Sequence, residues 1–190
     1  MGKLKIACDK NGMALIEVLV AVGLFTLLSA AFFLQMASFS QFESTIFNSN
    51  SAIESVASEV EMLQNTPYSK LYDIADKKGG VLALNISNGK ATPINSNYES
   101  IISQDLSLQS KIAFPKSLKG VMYVYIDKVN KSMGHLLDVY VSISFAAPNS
   151  QQVIGEDQNL DGTLSSAEDK NTNGRADSPI SLSTSIYDPL

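Results

Sequence analysis

The sequence predicts an α+β protein in which one long N-terminal helix is followed by a small antiparallel sheet. Three observations carry that expectation. Met13–Met36 reads MALIEVLVAVGLFTLLSAAFFLQM, with Glu17 as its one ionisable side chain. No Pro or Gly interrupts the chain from Leu24 to Thr66, and apolar residues recur there at spacings of three and four, as one face of a helix requires. Past Pro67 the pattern changes to short runs in which apolar and polar residues alternate, the period of a strand. A helix followed by strands is an α+β order. The 190 residues, 45% of them hydrophobic, suffice for one domain with its own core and hardly for two.

The N-terminal element comes first. Val18–Leu34 carries no charge, and with Met13–Ile16 it falls in the range of roughly 17–25 apolar residues that a membrane-spanning helix needs. Lys3, Lys5 and Lys10 precede it, which predicts a cytoplasmic N-terminus and an outward-facing remainder. An ordinary secretory signal shares these features and would be cut near Ser29-Ala30-Ala31. Glu17 argues against it, because a carboxylate at mid-membrane costs on the order of 2.5–3.5 kcal/mol and an export signal has no use for one. A cut after Gly12 gives the acid a partner. Met13 would then carry a free α-amine, and Glu17 lies four residues on, over one helical turn on the same face, ready to pair with that amine or with a neighbouring copy's.

Lys-Asn-Gly followed by MALIEVLVA resembles the class III leader and N-terminus of type IV prepilins and type II secretion pseudopilins. The resemblance covers about residues 10–36. It implies a prepilin peptidase that cuts after Gly12 and methylates Met13, with Glu17 at the fifth mature position acting in assembly. The departure is Met13, where the family usually has Phe. By the same resemblance, residues 1–12 are a cleaved basic leader, 13–36 the transmembrane and assembly half of the helix, and 37–190 an exported pilin-like head. The partners implied are the peptidase, the inner (cytoplasmic) membrane, and other pilins or pseudopilins met through the N-terminal helix, in a pilus or pseudopilus. LIEVLVA, the short chain after the helix and SPISLSTSI are similar to the PilV class of minor pilins, with a pseudopilin of a secretion system as the alternative. Outside the family stands a calcium-binding surface adhesin on an uncleaved signal anchor, which would not need Glu17.

The helix is expected to continue to about Gln64, roughly 78 Å at 1.5 Å per residue, so its second half must pack on something other than lipid. Phe39, Phe42, Ile46, Ile53, Val56, Val60 and Leu63 form the apolar stripe, expected to lie on the head's own sheet, and Pro67 ends the helix. Tyr68–Gly80 reads as a loop. Candidate strands are Val81–Ile86, Ile101–Leu108 and Gly120–Ile126, then two clear ones, Leu137–Phe145 and Ile180–Ile186, each with an aliphatic face expected inside and a Ser-rich face outside.

Between the last two strands, residues 155–177 read GEDQNLDGTLSSAEDKNTNGRAD. Asp157, Asn159, Asp161, Gly162 and Glu168 fit the calcium-loop template D-x-[DN]-x-[DN]-G-x5-E. Calcium takes six to eight oxygens, alternate residues of a tight loop supply them, Gly permits the sharp turn, and a final acid closes the shell. Thr163 would offer its carbonyl and Ser165 a hydroxyl or a bridging water. The pattern repeats 12 residues on, with Asp169, Asn171, Asn173 and Gly174, and Asp177 at the ninth position. Ile180 stands where a second closing acid would be, and Pro148 and Pro179 bracket the segment, so this is no EF-hand; it looks like the tandem loops of dockerin or thrombospondin type 3 repeats. A solvated acidic linker is the alternative reading. With little apolar content of its own, the insertion is expected to be ordered by calcium.

Composition narrows the remaining classes. The formal net charge is −5, and the basic leader makes the mature part more acidic still, which disfavours sequence-independent nucleic-acid binding. The one Cys, Cys8, lies in the leader. His135 at the start of a strand, with no G-x-S-x-G and no phosphate loop, leaves no nucleophile-base constellation, so no enzyme is expected. Lys111, Lys116, Lys119, Lys128 and Lys131 read as a solvated edge.

Overall fold

The structure is a computed structural model that describes residues 10–77, 80–94, 114, 116–129, 136–147 and 152–188, with the side chains of 10–14 and 77 left aside. The expected strand Ile101–Leu108, His135, Lys111 and Lys131 lie outside the described residues. Helix α1 runs Lys10–Gln64 and α2 Tyr68–Lys77; the strands are β1 Val81–Ser87, β2 Lys90–Pro93, β3 Gly120–Lys128, β4 Leu136–Ala146, β5 Val153–Ile154 and β6 Ser181–Tyr187. The protein is α+β: a long N-terminal apolar helix and a six-stranded antiparallel sheet, ordered β2-β1-β3-β4-β5 with β6 also on β4. Contacts divide the chain into two compact units, Met1–Glu43 and Ser44–Leu190.

The first unit is the apolar part of α1. Leu15–Phe42 is almost wholly exposed, with Leu19, Phe25, Leu28 and Phe33 each more than half accessible, and α1 is long and apolar enough to cross a membrane. A surface of that kind is not stable in water as a monomer face.

In the second unit α1 ends as Pro67 requires. Asn65 N donates to the carbonyls of Glu61 and Met62, and the Asn65 and Thr66 side chains donate to the carbonyls of Glu61 and Met62 at 2.8 and 2.9 Å, which satisfies acceptors the helix leaves open. Pro67 then starts a second helix, since its carbonyl accepts from Lys70 N and Leu71 N and its missing N–H costs nothing there. The segment expected as a loop is therefore α2, which buries Leu71 and Ile74 and packs on β3. Asn88-Gly89, at φ 52° and 77°, makes the tight turn between β1 and β2. Gly80 is needed at the entry to β1, because a Cβ there would lie 2.0 Å from the Ile126 carbonyl oxygen.

The sheet is buried on both faces. On one, Leu84, Ile86, Met122, Val124, Val139 and Ile143 meet Ala52, Val56 and Leu63 of α1 and Leu71 and Ile74 of α2. On the other, Ala83, Val121, Tyr123 and Tyr125 meet Ala176, Leu160 and Leu164 of the insertion. Strand β3, GVMYVYIDK, feeds both faces from alternate positions and so lacks a polar side until Asp127.

Two expectations about faces are corrected. In the helical stripe, Val56, Val60 and Leu63 join the core, but Phe39, Phe42, Ile46 and Ile53 are exposed. The buried face over that stretch is turned toward Asn48, Ser51, Ala52, Ser55 and Glu59, small or polar residues that an apolar count passes over. In β4 the Ser face is not solvated: Ser142 and Ser144 are buried beneath the insertion, and Ser142 Oγ donates to the Ala176 carbonyl at 2.5 Å. In β6 the aliphatic face is only partly covered, with Leu182 43% exposed, because β6 is an edge strand.

Candidate metal centre

The insertion between β5 and β6 leaves and returns to the sheet at one point. Glu156 N donates to the Asp177 carbonyl at 2.9 Å, and Asp177 N to Glu156 Oε2 at 3.1 Å. Between them the sequence repeat is also a structural repeat. Gly162 N donates to Asp157 Oδ2 at 3.1 Å and Gly174 N to Asp169 Oδ2 at 2.9 Å. Asp161 N donates to Asn159 Oδ1 and Asn173 N to Asn171 Oδ1, at 2.9 and 3.1 Å. Thr163 N and Arg175 N, one place on, donate to Asp161 Oδ1 and Asn173 Oδ1, both at 2.7 Å. Leu160 and Thr172 share φ near 55°, and Gly162 and Gly174 take φ 81° and 74°. Side-chain oxygens of alternate residues thus bind the backbone within each loop, the short-range bonding that Asp and Asn favour in turns.

The two loops differ at their first residue. Asp157 is fully buried; Oδ2 also accepts from Tyr123 Oη at 2.6 Å, while Oδ1 has no hydrogen-bond partner. Asp169 is partly exposed and both its oxygens are used, Oδ1 by Asn173 N and Oδ2 by Gly174 N. In the second loop the Asn171 and Asn173 amides donate to Asp177 Oδ2 at 2.5 and 2.9 Å, and Tyr140 Oη to Asp177 Oδ1 at 2.8 Å. Burial pushes the Asp177 carboxyl up, but the bonds from Tyr140, Asn171 and Asn173 and the Arg175 charge outweigh it and hold it below the usual range.

Glu168 closes the first loop. Oε2 accepts from Ser165 N and Oγ, at 3.1 and 2.7 Å, and Oε1 from Gln158 N at 3.2 Å. The Ser165 bonds hold its carboxyl below the usual range, as the Thr163 hydroxyl and N–H do for Asp161. The structure thus brings Asp157, Asn159, Asp161, Thr163 and Glu168 into one loop and Asp169, Asn171, Asn173 and Asp177 into the next. Among the described residues no three Asp, Glu, His or Cys side chains converge as a ready-made metal shell. The template's donors are a mixed set of Asp, Asn, carbonyl and Glu oxygens. The atom among them that bears on an ion is Asp157 Oδ1, a buried carboxylate oxygen without a hydrogen-bond donor, whose cost of burial a cation or a water molecule would offset.

Three residues that sequence reasoning passed over hold this loop on the sheet. Tyr123 donates to Asp157, Tyr125 Oη accepts from Ala176 N at 2.6 Å, and Tyr140 donates to Asp177. Their rings lie side by side, Tyr123–Tyr125 at 6.2 Å and Tyr125–Tyr140 at 6.0 Å between centroids, with the Arg175 guanidinium over the last two and paired to Asp127. Burial raises Tyr123 well above the usual phenol value and raises Tyr125 too, so both remain neutral hydroxyls. The insertion is therefore docked on a protein-made apolar layer, although its own sequence has little apolar content. The signal was in β3, whose apolar residues occupy both parities.

The N-terminal site residues are placed more simply. Gly12 and Met13 lie on the backbone of α1, and Glu17 is exposed among exposed aliphatic side chains. Of the Lys cluster, Lys128 pairs with Asp76 and sits 3.9 Å over the Tyr72 ring. Comparison of the chain with protein-family models, characterised proteins and solved structures finds no match.

Proposed function

We propose that this chain is a structural filament subunit, a minor pilin of the type IV pilus kind, anchored in the inner membrane by α1 and processed by a prepilin peptidase after Gly12. The observation that carries the reading is the exposed, uncharged helical surface broken by one carboxylate, Glu17, a single helical turn from the amine that cleavage would create at Met13. In lipid that carboxylate is costly, and an amine on its own or a neighbouring helix offsets the cost. The exposed stripe of Phe39, Phe42, Ile46 and Ile53 continues the apolar surface past the segment a bilayer covers, which suits helix against helix between subunits. Each such side chain contributes about 1.5–3 kcal/mol when buried.

Glu17→Ala and Glu17→Gln tested for incorporation into filaments separate this role from plain anchoring. Loss of incorporation with normal membrane insertion supports it; full incorporation of both variants contradicts it.

The head would be stabilised by one calcium ion in the first loop, held by Asp157, Asn159, Asp161, the Thr163 carbonyl and Glu168. When bound, the ion supplies positive charge to a loop of like-charged carboxylates. The second loop is the weaker candidate, since Ile180 stands where its closing acid would be and the Asn171 and Asn173 amides already serve Asp177. Calorimetric titration with calcium chloride is expected to give a stoichiometry near one, and Asp157→Ala to abolish it.

A further inference from the structure

We infer that Tyr123 is the positioning residue of the cation site: its hydroxyl, reaching from the central strand β3, holds Asp157 by one carboxylate oxygen and leaves the other, which has no protein partner, for the ion. The inference rests on the calcium reading above and specifies how the sheet takes part in it. The geometry has three parts. Tyr123 is almost fully buried and donates to Asp157 Oδ2 at 2.6 Å. Gly162 N, at 3.1 Å, serves the same oxygen, so both donors act on one side of the carboxylate. The other oxygen, Oδ1, is buried and without a partner. A ligand held by a second group loses less freedom when the ion arrives, and its orientation is set before binding. Gly162 alone would tie Asp157 only to its own loop, whereas Tyr123 ties it to a strand paired on both sides, with β1 and β4.

Tyr125 is a natural control. It is the next inward-facing residue of the same face of β3, its ring stacks on Tyr123, and its hydroxyl contacts the same insertion. That contact is to the Ala176 backbone N–H at 2.6 Å, not to a carboxylate of the first loop. Losing the Tyr125 hydroxyl therefore weakens docking of the insertion with and without calcium, while losing the Tyr123 hydroxyl weakens the ion's site itself.

The test uses the full chain in detergent micelles, titrated with calcium chloride by calorimetry and melted with and without calcium. Wild type, Tyr123→Phe and Tyr125→Phe are compared. Tyr123→Phe is expected to weaken calcium affinity about 10–100-fold, the range found for groups that orient metal ligands, and to shrink the calcium-dependent rise in melting temperature. Tyr125→Phe is expected to lower both melting temperatures together and leave affinity within about threefold of wild type. Equal affinity in Tyr123→Phe and wild type overturns the positioning role and leaves the calcium site standing. Equal losses in the two variants also overturn it, assigning both tyrosines to docking. Absence of any calcium heat in wild type removes the calcium reading itself, and the positioning role with it.

Discussion

At the scale of single residues, the most consequential side chain outside the loop is Glu59. It is 1% exposed on the face of α1 that meets the sheet, both its oxygens lack partners, and burial raises its pKa from 4.5 to about 8. No neighbouring charge contributes to that shift. Because the folded value lies above the unfolded one, Glu59 contributes most to stability below about pH 4.5, its contribution falls as pH rises toward 8, and it changes no further beyond that, while the lowered carboxyls of Asp161, Glu168 and Asp177 act in the opposite sense at the acid end. The full span amounts to about 5 kcal/mol, from 1.36 kcal/mol per pH unit. Urea melts between pH 5 and 9 are expected to show a falling midpoint in wild type and a nearly flat one in Glu59→Gln, with Glu59→Met the most stable at pH 8. A wild-type midpoint that rises over this range contradicts the assignment. Gly162 is a second point of constraint: at φ 81°, with an added Cβ 2.0 Å from Ile94 Cδ1, Gly162→Ala is expected to cost about 1–3 kcal/mol, read from the same melts.

At the scale of elements, the two faces of α1 beyond the membrane segment make opposite predictions. Leu63→Ala, in the core, is expected to destabilise the head by about 2–5 kcal/mol. Ile53→Ser, on the exposed face, is expected to leave head stability within about 0.5 kcal/mol while lowering filament incorporation. Thermal melts and a pilus-fraction immunoblot measure the two effects. What could be read from sequence follows from the same elements. Helix α1, its end at Pro67 and strands β1, β3, β4 and β6 were legible because uninterrupted apolar runs and clean alternation leave little choice of period. Helix α2 was missed because its ten residues, Tyr68–Lys77, carry few apolar positions, although Tyr68, Leu71, Ile74 and Ala75 share one face. Strand β2 was missed although Asn88-Gly89 is a strong hairpin signal. The turned face of α1 was not legible, since a core built with Asn48, Ser51, Ser55 and Glu59 breaks the rule that apolar residues mark the inside. The loop's template and repeat were legible residue by residue; its attachment to Tyr123, Tyr125 and Tyr140 required knowing that β4 lies beside β3, with Tyr125 opposite Tyr140.

At the scale of the whole molecule, each half of the chain carries its own unmet requirement. The first unit displays an exposed apolar helical surface over Leu15–Phe42 with Glu17 as its one carboxylate, a surface unsuited to water. The second is a sheet covered on one face by two helices and on the other by an insertion holding an unpartnered buried carboxylate oxygen. The proposed subunit, held in a filament by its helix and closed by an ion in its head, would meet both. The most direct test of this account is the N-terminal sequence and intact mass of the protein isolated from its native membrane. The account predicts a chain that starts at Met13 and carries one added methyl group. A chain that starts at Met1, or near Ala31, would contradict it.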